Sequence, residues 1–84
     1  MIQMKGDNRM NKKRKQETIL FTSILQDVYN KLGNILDDEQ DYLDNIPDNL
    51  KNGVAADRSQ DYIDDLTEAL DYLETAIDLL KNNH

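Results

Sequence analysis

The sequence has no cysteine or tryptophan, and it contains a single proline and a single histidine. Without cysteine the chain can form neither a disulfide nor a thiolate zinc site, and nothing points to an oxidising compartment. No apolar run approaches the roughly 18 residues that a membrane-spanning helix needs. The apolar segment 19–25 follows basic residues, as in a signal peptide, but charged Asp27 stands where a small-residue cleavage site is expected. We therefore predict a cytoplasmic protein with no membrane partner.

The side chains that enzymes use most often are also scarce. The histidine is His84, at the end of the sequence, so Ser23 and Ser59 have no evident histidine base, and there is no glycine-rich phosphate loop. Carboxylates could serve as acids or bases, but two helices offer no enclosed pocket that would tune them. The sequence predicts a binding protein rather than an enzyme, with no cofactor.

The net charge of −7 is distributed unevenly along the chain. Residues 1–16 hold six bases and one acid, a balance of +5, whereas residues 17–84 hold 16 acids and four bases, a balance of −12. Because Gly6, Asp7 and Asn8 disfavour a helix, we predict a flexible basic tail (residues 1–16) and a helical domain (residues 17–84). The tail could contact nucleic acid or membrane, or fold back on the acidic body. The acidic body should repel DNA, so we predict no direct nucleic-acid binding by it.

The first helix is predicted from about Glu17 to Asp44, with Thr18 or a residue before it as the N-cap. Gly33-Asn34 in its middle indicates either a kink or close approach by another helix. The apolar residues of this helix fall mostly at steps of three, four or seven: Leu25, Val28, Leu32, Ile35 or Leu36, Leu43 and Ile46.

Pro47 should end the first helix near Asn45, because proline removes a backbone hydrogen bond from a helix interior. It can also open a short helical turn, which Asn52-Gly53 would close with a left-handed residue. Leu50 would tuck under this turn.

The second helix is predicted to begin near Asp57 or Ser59, with Asp57 and Gln60 forming a capping box. Ala69 and Ala76 flank its apolar stripe and permit close helix approach. The stripe repeats at steps of three and four, as in a coiled coil: Ile63, Leu66, Leu70, Leu73, Ile77 and Leu80. We predict an all-α fold, an antiparallel helical hairpin of two long helices with a short helical turn in the connection. Because a two-helix layer leaves part of its stripe wet, we also predict dimerisation into a four-helix bundle, or docking on a partner.

The opposite face of the second helix is acidic, with no base between Ser59 and Leu80. It could simply be a solvated face, or it could complement a basic groove. Its acids recur every three or four residues, about 4.5–6 Å along a helix, which is comparable to the charge spacing of about 3.4 Å along one DNA strand. Tyr62 and Tyr72 lie beside the stripe, where tyrosines either pack the rim of a core or anchor a partner. The predicted partner-binding residues are Asp61, Tyr62, Asp64, Asp65, Glu68, Asp71, Tyr72 and Asp78.

A second acidic cluster, around Asp37, Glu39 and Asp41, alternates like a calcium-binding loop. It lacks the glycine that such a loop has at its sixth place, and successive residues of a helix point to different sides. We predict no metal site there.

The residues from Asp41 to Leu80 resemble a group of small acidic helical proteins of low-GC Gram-positive bacteria and their phages. The shared features are the junction Leu43-Asp44-Asn45-Ile46-Pro47-Asp48-Asn49-Leu50, a polar loop, and the repeats Ile63-Asp64-Asp65-Leu66, Ala69-Leu70, Leu73, Ala76-Ile77 and Leu80. This resemblance implies a bacterial or phage setting rather than a mechanism. By charge and size alone, the chain is also similar to anti-CRISPR inhibitors and DNA mimics.

Two functional hypotheses follow. The first is a protein-binding inhibitor that covers the basic surface of a nucleic-acid-processing protein, such as a CRISPR effector or another nucleic-acid-binding protein. The second is a homodimeric helical adaptor or scaffold whose acids only confer solubility.

Overall fold

A computed structural model describes the backbone of residues 2–82 and the side chains of residues 11–82; His84 lies outside this part of the chain. Two helices, α1 (Ile2–Asp44) and α2 (Val54–Asn82), are joined by a 3₁₀ turn, Asp48–Leu50. They pack against each other as an antiparallel hairpin, which confirms the predicted all-α fold. The molecule is a rod of 72 × 16 × 16 Å with a radius of gyration of 20.1 Å. A compact domain of this length would have a radius of gyration of about 12 Å, so the rod exposes far more surface than a globule.

The first helix begins much earlier than its apolar pattern predicted. α1 starts at Ile2, so the expectation of a non-helical segment over residues 1–16 is wrong for 2–16, and flexibility of this segment stays a prediction. Thr18 is not an N-cap, since its hydroxyl donates to the carbonyl of Arg14 at 2.7 Å, one turn back in the same helix. Once a helix has nucleated, each added residue gains a hydrogen bond, and lysine, arginine and glutamine are good helix formers. This propagation outweighs the poor propensity of Gly6, Asp7 and Asn8.

The interface between the two helices is a continuous heptad seam. Its residues on α1 are Thr22, Leu25, Tyr29, Leu32, Leu36, Glu39, Leu43 and, just after the helix, Ile46; on α2 they are Ala56, Ser59, Ile63, Leu66, Leu70, Leu73, Ile77 and Leu80. The apolar side chains that are buried among the described residues all belong to α2: Ala56, Ile63, Leu66, Leu70 and Ile77. The predicted stripe on α2 is therefore confirmed, and α1 covers it mainly with half-buried side chains.

Val28, which was assigned to the first helix's stripe, does not lie in the seam, and of the alternatives Ile35 and Leu36 it is Leu36 that does. Val28 and Ile35 are 39% and 43% exposed. Tyr29 and Leu36, one position later along the chain, take the seam positions instead. Residues 28 and 35 form one row along the helix, and residues 29 and 36 form the adjacent row. Both rows have the same seven-residue spacing, so periodicity alone does not show which of them faces α2.

Gly33 does not mark close approach by α2. A Cβ placed on it would meet nothing within 4 Å, and α1 continues as one helix through Gly33-Asn34.

The connection behaves as its proline predicts, except at its glycine and leucine. Pro47, at φ −56° and ψ 146°, precedes the short turn, and the side chain of Asn45 donates to the carbonyl of Asp41 at 2.8 Å and so caps the end of α1. No described residue has a positive φ, so the left-handed closure predicted at Gly53 is wrong. Leu50 is 54% exposed rather than tucked under the turn.

α2 begins at Val54, several residues before its predicted start. The amide of Asp57 already donates to the carbonyl of Gly53 at 3.1 Å, so Asp57 lies inside the first turn and the capping box with Gln60 is wrong. The carboxylate of Asp57 still interacts favourably with the positive end of the helix dipole, and Lys81 lies in the last turn, at its negative end.

Candidate binding surfaces

The acids of α2 form two parallel rows on its outer surface, away from the seam. Asp57, Asp64, Asp71 and Asp78 repeat every seven residues, and Asp61 and Glu68 form the adjoining row; all six are exposed. Seven residues span about 10.5 Å of helix, and the second row fills the gaps. The predicted acidic residues Asp61, Asp64, Glu68, Asp71 and Asp78 thus lie together on one continuous surface.

Few cations neutralise these rows. Among the side chains of residues 11–82, the ion pairs are Lys31 with Asp27 (3.1 Å) and Lys51 with Asp48 (3.5 Å), and neither involves an acid of α2. Four bases, Lys12, Lys13, Arg14 and Lys15, lie in the part of α1 that extends beyond α2, and all four are exposed. Within residues 11–82 these four bases form no ion pair with the hairpin, so no described base pairs with the acids of α2.

One edge of the seam carries polar bonds between the helices. The hydroxyl of Tyr29 donates to Glu74 Oε2 at 3.1 Å, and Lys81 Nζ donates to Gln26 Oε1 at 3.5 Å. The hydrogen bond to Glu74, together with the charge of that carboxylate, raises the pKa of Tyr29 above its ordinary value of 10.0. Tyr29 and Glu74 line a shallow hollow together with Asp78, which belongs to one of the acidic rows. This edge of the seam therefore adjoins the acidic rows.

We call this half of the hairpin surface the acidic side. With the seam residues at heptad positions a and d, it consists of position e, which lies beside the seam, and position b, which lies next outward, in both helices. Its charged members are Asp37 and Asp44 of α1 and Asp57, Asp64, Asp71, Glu74, Asp78 and Lys81 of α2. Seven acids and one base give this side a balance of −6.

The opposite edge of the seam was missed by sequence reasoning. Here α1 presents Phe21, Val28, Ile35 and Tyr42, which repeat every seven residues and are 53%, 39%, 43% and 53% exposed. α2 contributes Ala55, Tyr62, Ala69 and Ala76 to the same edge, since equivalent flanking positions of antiparallel helices lie side by side. The missed signal was the spacing of 21, 28, 35 and 42, which sequence analysis merged with the neighbouring seam.

We call this half the apolar side. It comprises those eight residues (heptad position g) and the adjoining position c residues, which include Ile24 and Tyr72, 50% and 68% exposed. Its charged residues are Lys31, Asp38, Arg58 and Asp65. The two bases and two acids cancel, so this side is neutral in a chain with a net charge of −7.

The predicted partner-binding set is therefore divided by the fold. Tyr62, Asp65 and Tyr72 lie toward the apolar side. The other five residues of the set, all acids, lie on the outer rows of α2. The hydroxyl of Tyr72 donates to Glu68 Oε1 at 3.1 Å within the same helix, so this tyrosine borders both surfaces. A single partner need not touch all eight residues.

The acidic cluster near Asp37 is also divided. Glu39 lies in the seam and accepts a 2.6 Å hydrogen bond from the buried hydroxyl of Ser59, while Asp37 and Asp41 are exposed on the outside of α1. No group of three or more potential metal ligands comes together within residues 11–82. Glu39 instead gives the apolar seam one polar layer, a feature that fixes register in coiled coils.

No protein-family model, curated protein or solved structure matches the chain. Over the described residues, neither helix contains a stretch long and apolar enough to cross a membrane.

Proposed function

We propose that this protein is a non-enzymatic inhibitor that binds a nucleic-acid-processing protein and covers its basic surface with the acidic side and the adjoining outer row of α2. An anti-CRISPR or similar phage counter-defence role is the sharpest form of this proposal. The observation that carries it is the pair of exposed acidic rows on α2, which no described cation neutralises.

The shape of the rod supports this role. The longer acidic row runs from Asp57 to Asp78 on α2, so it extends for about 32 Å along the helix at about 1.5 Å per residue. A groove that binds nucleic acid presents lysines and arginines along such a line. Because the acids are already fixed on a helix, they need little ordering when a partner binds. Electrostatic steering would mainly raise the association rate, and salt would weaken it.

The proposal is tested on purified CRISPR effectors and other DNA-binding enzymes of low-GC bacteria. We expect the protein to compete with DNA for at least one of them, less effectively as salt rises. The triple variant Asp64→Asn, Asp71→Asn, Asp78→Asn should lose about tenfold in affinity, since exposed pairs contribute about 0.2–1 kcal/mol each.

The matched control removes three exposed acids that lie outside both sides of the hairpin: Glu17→Gln, Asp41→Asn, Asp48→Asn. It changes the net charge equally but leaves the rows intact. If both variants lose the same affinity, the acidic side has no special role and only net charge matters. If no enzyme in the panel loses DNA binding, the proposed class of partner is wrong.

The alternative function is a homodimeric helical adaptor or scaffold. The exposed apolar side favours it, because such a side would be covered in an assembly. An adaptor of this kind would bind its targets with no loss on replacing Asp64, Asp71 and Asp78.

A further inference from the structure

The apolar side has no cover in the hairpin. Phe21, Val28, Ile35 and Tyr42 form a row on α1, and Tyr62 and three alanines face the same way from α2. Scattered apolar side chains are normal on a protein surface, but a contiguous row on one side of a rod indicates an interaction surface. Small residues such as Ala69 and Ala76 let another helix approach closely.

The first helix is also poorly covered on its seam. Within residues 11–82, its buried side chain is that of Thr22, while Leu25, Leu32 and Leu36 remain half-buried. A third and fourth helix over the apolar side would bury these residues further. Chains this short commonly gain stability by oligomerisation, because one small core is marginal.

The charges around this side identify the occupant. Lys31 and Arg58 lie on it together with Asp38 and Asp65. A two-fold interface brings one surface against itself, so a surface whose charges sum to zero can pair with its own copy, whereas a surface with a strong net charge repels it. A basic partner would bind the acidic side instead. Two copies of this chain would repel each other if they met through their acidic sides.

The area is sufficient for a dimer. The row from Phe21 to Tyr42 extends for about 32 Å at about 1.5 Å per residue, and the hairpin is 16 Å wide. The footprint is therefore about 500 Å² per copy and about 1,000 Å² in total, the lower limit of a specific interface. Because side chains project from the helices, the accessible area buried is larger than this flat footprint.

We propose that a second copy of this chain covers the apolar side, giving a two-fold four-helix bundle whose two acidic sides face outward. The bundle is bivalent, with one acidic surface on each flank. This inference is independent of the proposed inhibitor role, since it depends on residues outside the acidic rows.

The first test is sedimentation equilibrium of the full chain from low micromolar to near-millimolar concentration. We expect a reversible monomer–dimer equilibrium. The double variant Val28→Glu, Ile35→Glu should raise the dimer dissociation constant at least about a hundredfold, because it places two charges in an apolar interface. The control Gln26→Glu, Asn30→Glu adds the same charge on the acidic side and should change the constant far less. A wild-type chain that stays monomeric throughout, or equal effects of the two variants, overturns the proposal.

The second test remains informative if the double variant unfolds. The chain has no cysteine, so single-cysteine variants report one position each. A short bis-maleimide should link copies through at least one of Phe21→Cys, Val28→Cys, Ile35→Cys and Tyr42→Cys, and not through Asn30→Cys or Asp71→Cys. Linking only at the two control positions would show that copies meet through the acidic side and would contradict the proposal. Binding of a basic partner is measured separately, so a failed dimer leaves the inhibitor proposal intact.

Discussion

The two sides of this hairpin flank the same seam but have opposite character. The acidic side carries a balance of −6 and polar bonds between the helices, whereas the apolar side is neutral and carries a row of half-exposed large side chains. The difference lies in which flank of the heptad holds the apolar residues. On the two proposals above, the charged flank is the surface for a basic partner, and the apolar flank is the surface for a second copy of the chain.

The largest expected effect concerns the seam itself. Leu66→Ala should lower the free energy of unfolding by about 2–5 kcal/mol, because it removes a buried side chain and leaves a cavity; Leu66 is 8% exposed. Ile35→Ala on the apolar side, where Ile35 is 43% exposed, should cost much less at low protein concentration. Urea denaturation monitored by circular dichroism measures both.

Protein concentration sharpens this comparison. If copies associate through the apolar side, the cost of Ile35→Ala should rise with concentration, since binding to the folded state adds stability by mass action. A cost that is small and independent of concentration would indicate that the apolar side stays exposed.

The fold was predictable from sequence because its main signals agree. Pro47 and the strict repeat of α2 define the turn and the buried face, and the structure confirms both. The assignment of Val28 to the seam was wrong, and the choice between Ile35 and Leu36 stayed open, because two adjacent rows of α1 share one period. Only a known partner helix shows which row faces inward. The predicted start of α1 was wrong because the poor helix propensity near Gly6 costs less than the helix gains as it propagates through these residues.

The candidate site was only partly predictable for a related reason. Acid positions along α2 can be read directly from the sequence, so the outer rows were found. The assignment of Asp65 and Tyr72 to another flank requires knowing where α1 lies. The neutral charge of the apolar side likewise appears only when Lys31 of one helix and Arg58 of the other are placed on the same surface.

A smaller effect is expected at Gly33, on the acidic side. Gly33→Ala should raise the free energy of unfolding by about 0.8–1 kcal/mol, since alanine is the better helix former and its Cβ would meet nothing within 4 Å. The matched control is Gly53→Ala, whose Cβ would lie 3.2 Å from the carbonyl oxygen of Leu50, so it should gain less or lose stability. Thermal and urea denaturation measure both variants.

Destabilisation by Gly33→Ala would reverse the comparison of the two sides. It would mean that a neighbouring molecule packs closely on the acidic side in solution, because the hairpin itself leaves room there. The apolar side would then no longer be the favoured contact between copies.

The smallest effect is a change in the titration of Tyr29. Its pKa is raised by the hydrogen bond to Glu74 and by the charge of that carboxylate, so Glu74→Gln should lower this pKa toward the ordinary value. Since the folded-state pKa lies above the unfolded one, the stability contributed by this bond is fully present below the unfolded value of about 10. It is lost as the pH rises through the folded-state pKa.

Spectroscopic titration of the tyrosines, with Tyr29→Phe to assign the signal, measures this pKa. Glu68→Gln is the control, because Glu68 bonds Tyr72 within α2 and should leave Tyr29 unaffected. The titration also reports on one side only, because the hydrogen bond from Tyr29 to Glu74 lies at the edge of the seam that adjoins the acidic rows. If copies meet through the apolar side, the pKa of Tyr29 should not vary with protein concentration. A pKa that rises as copies associate would place a second chain, with its own negative charge, on the acidic side.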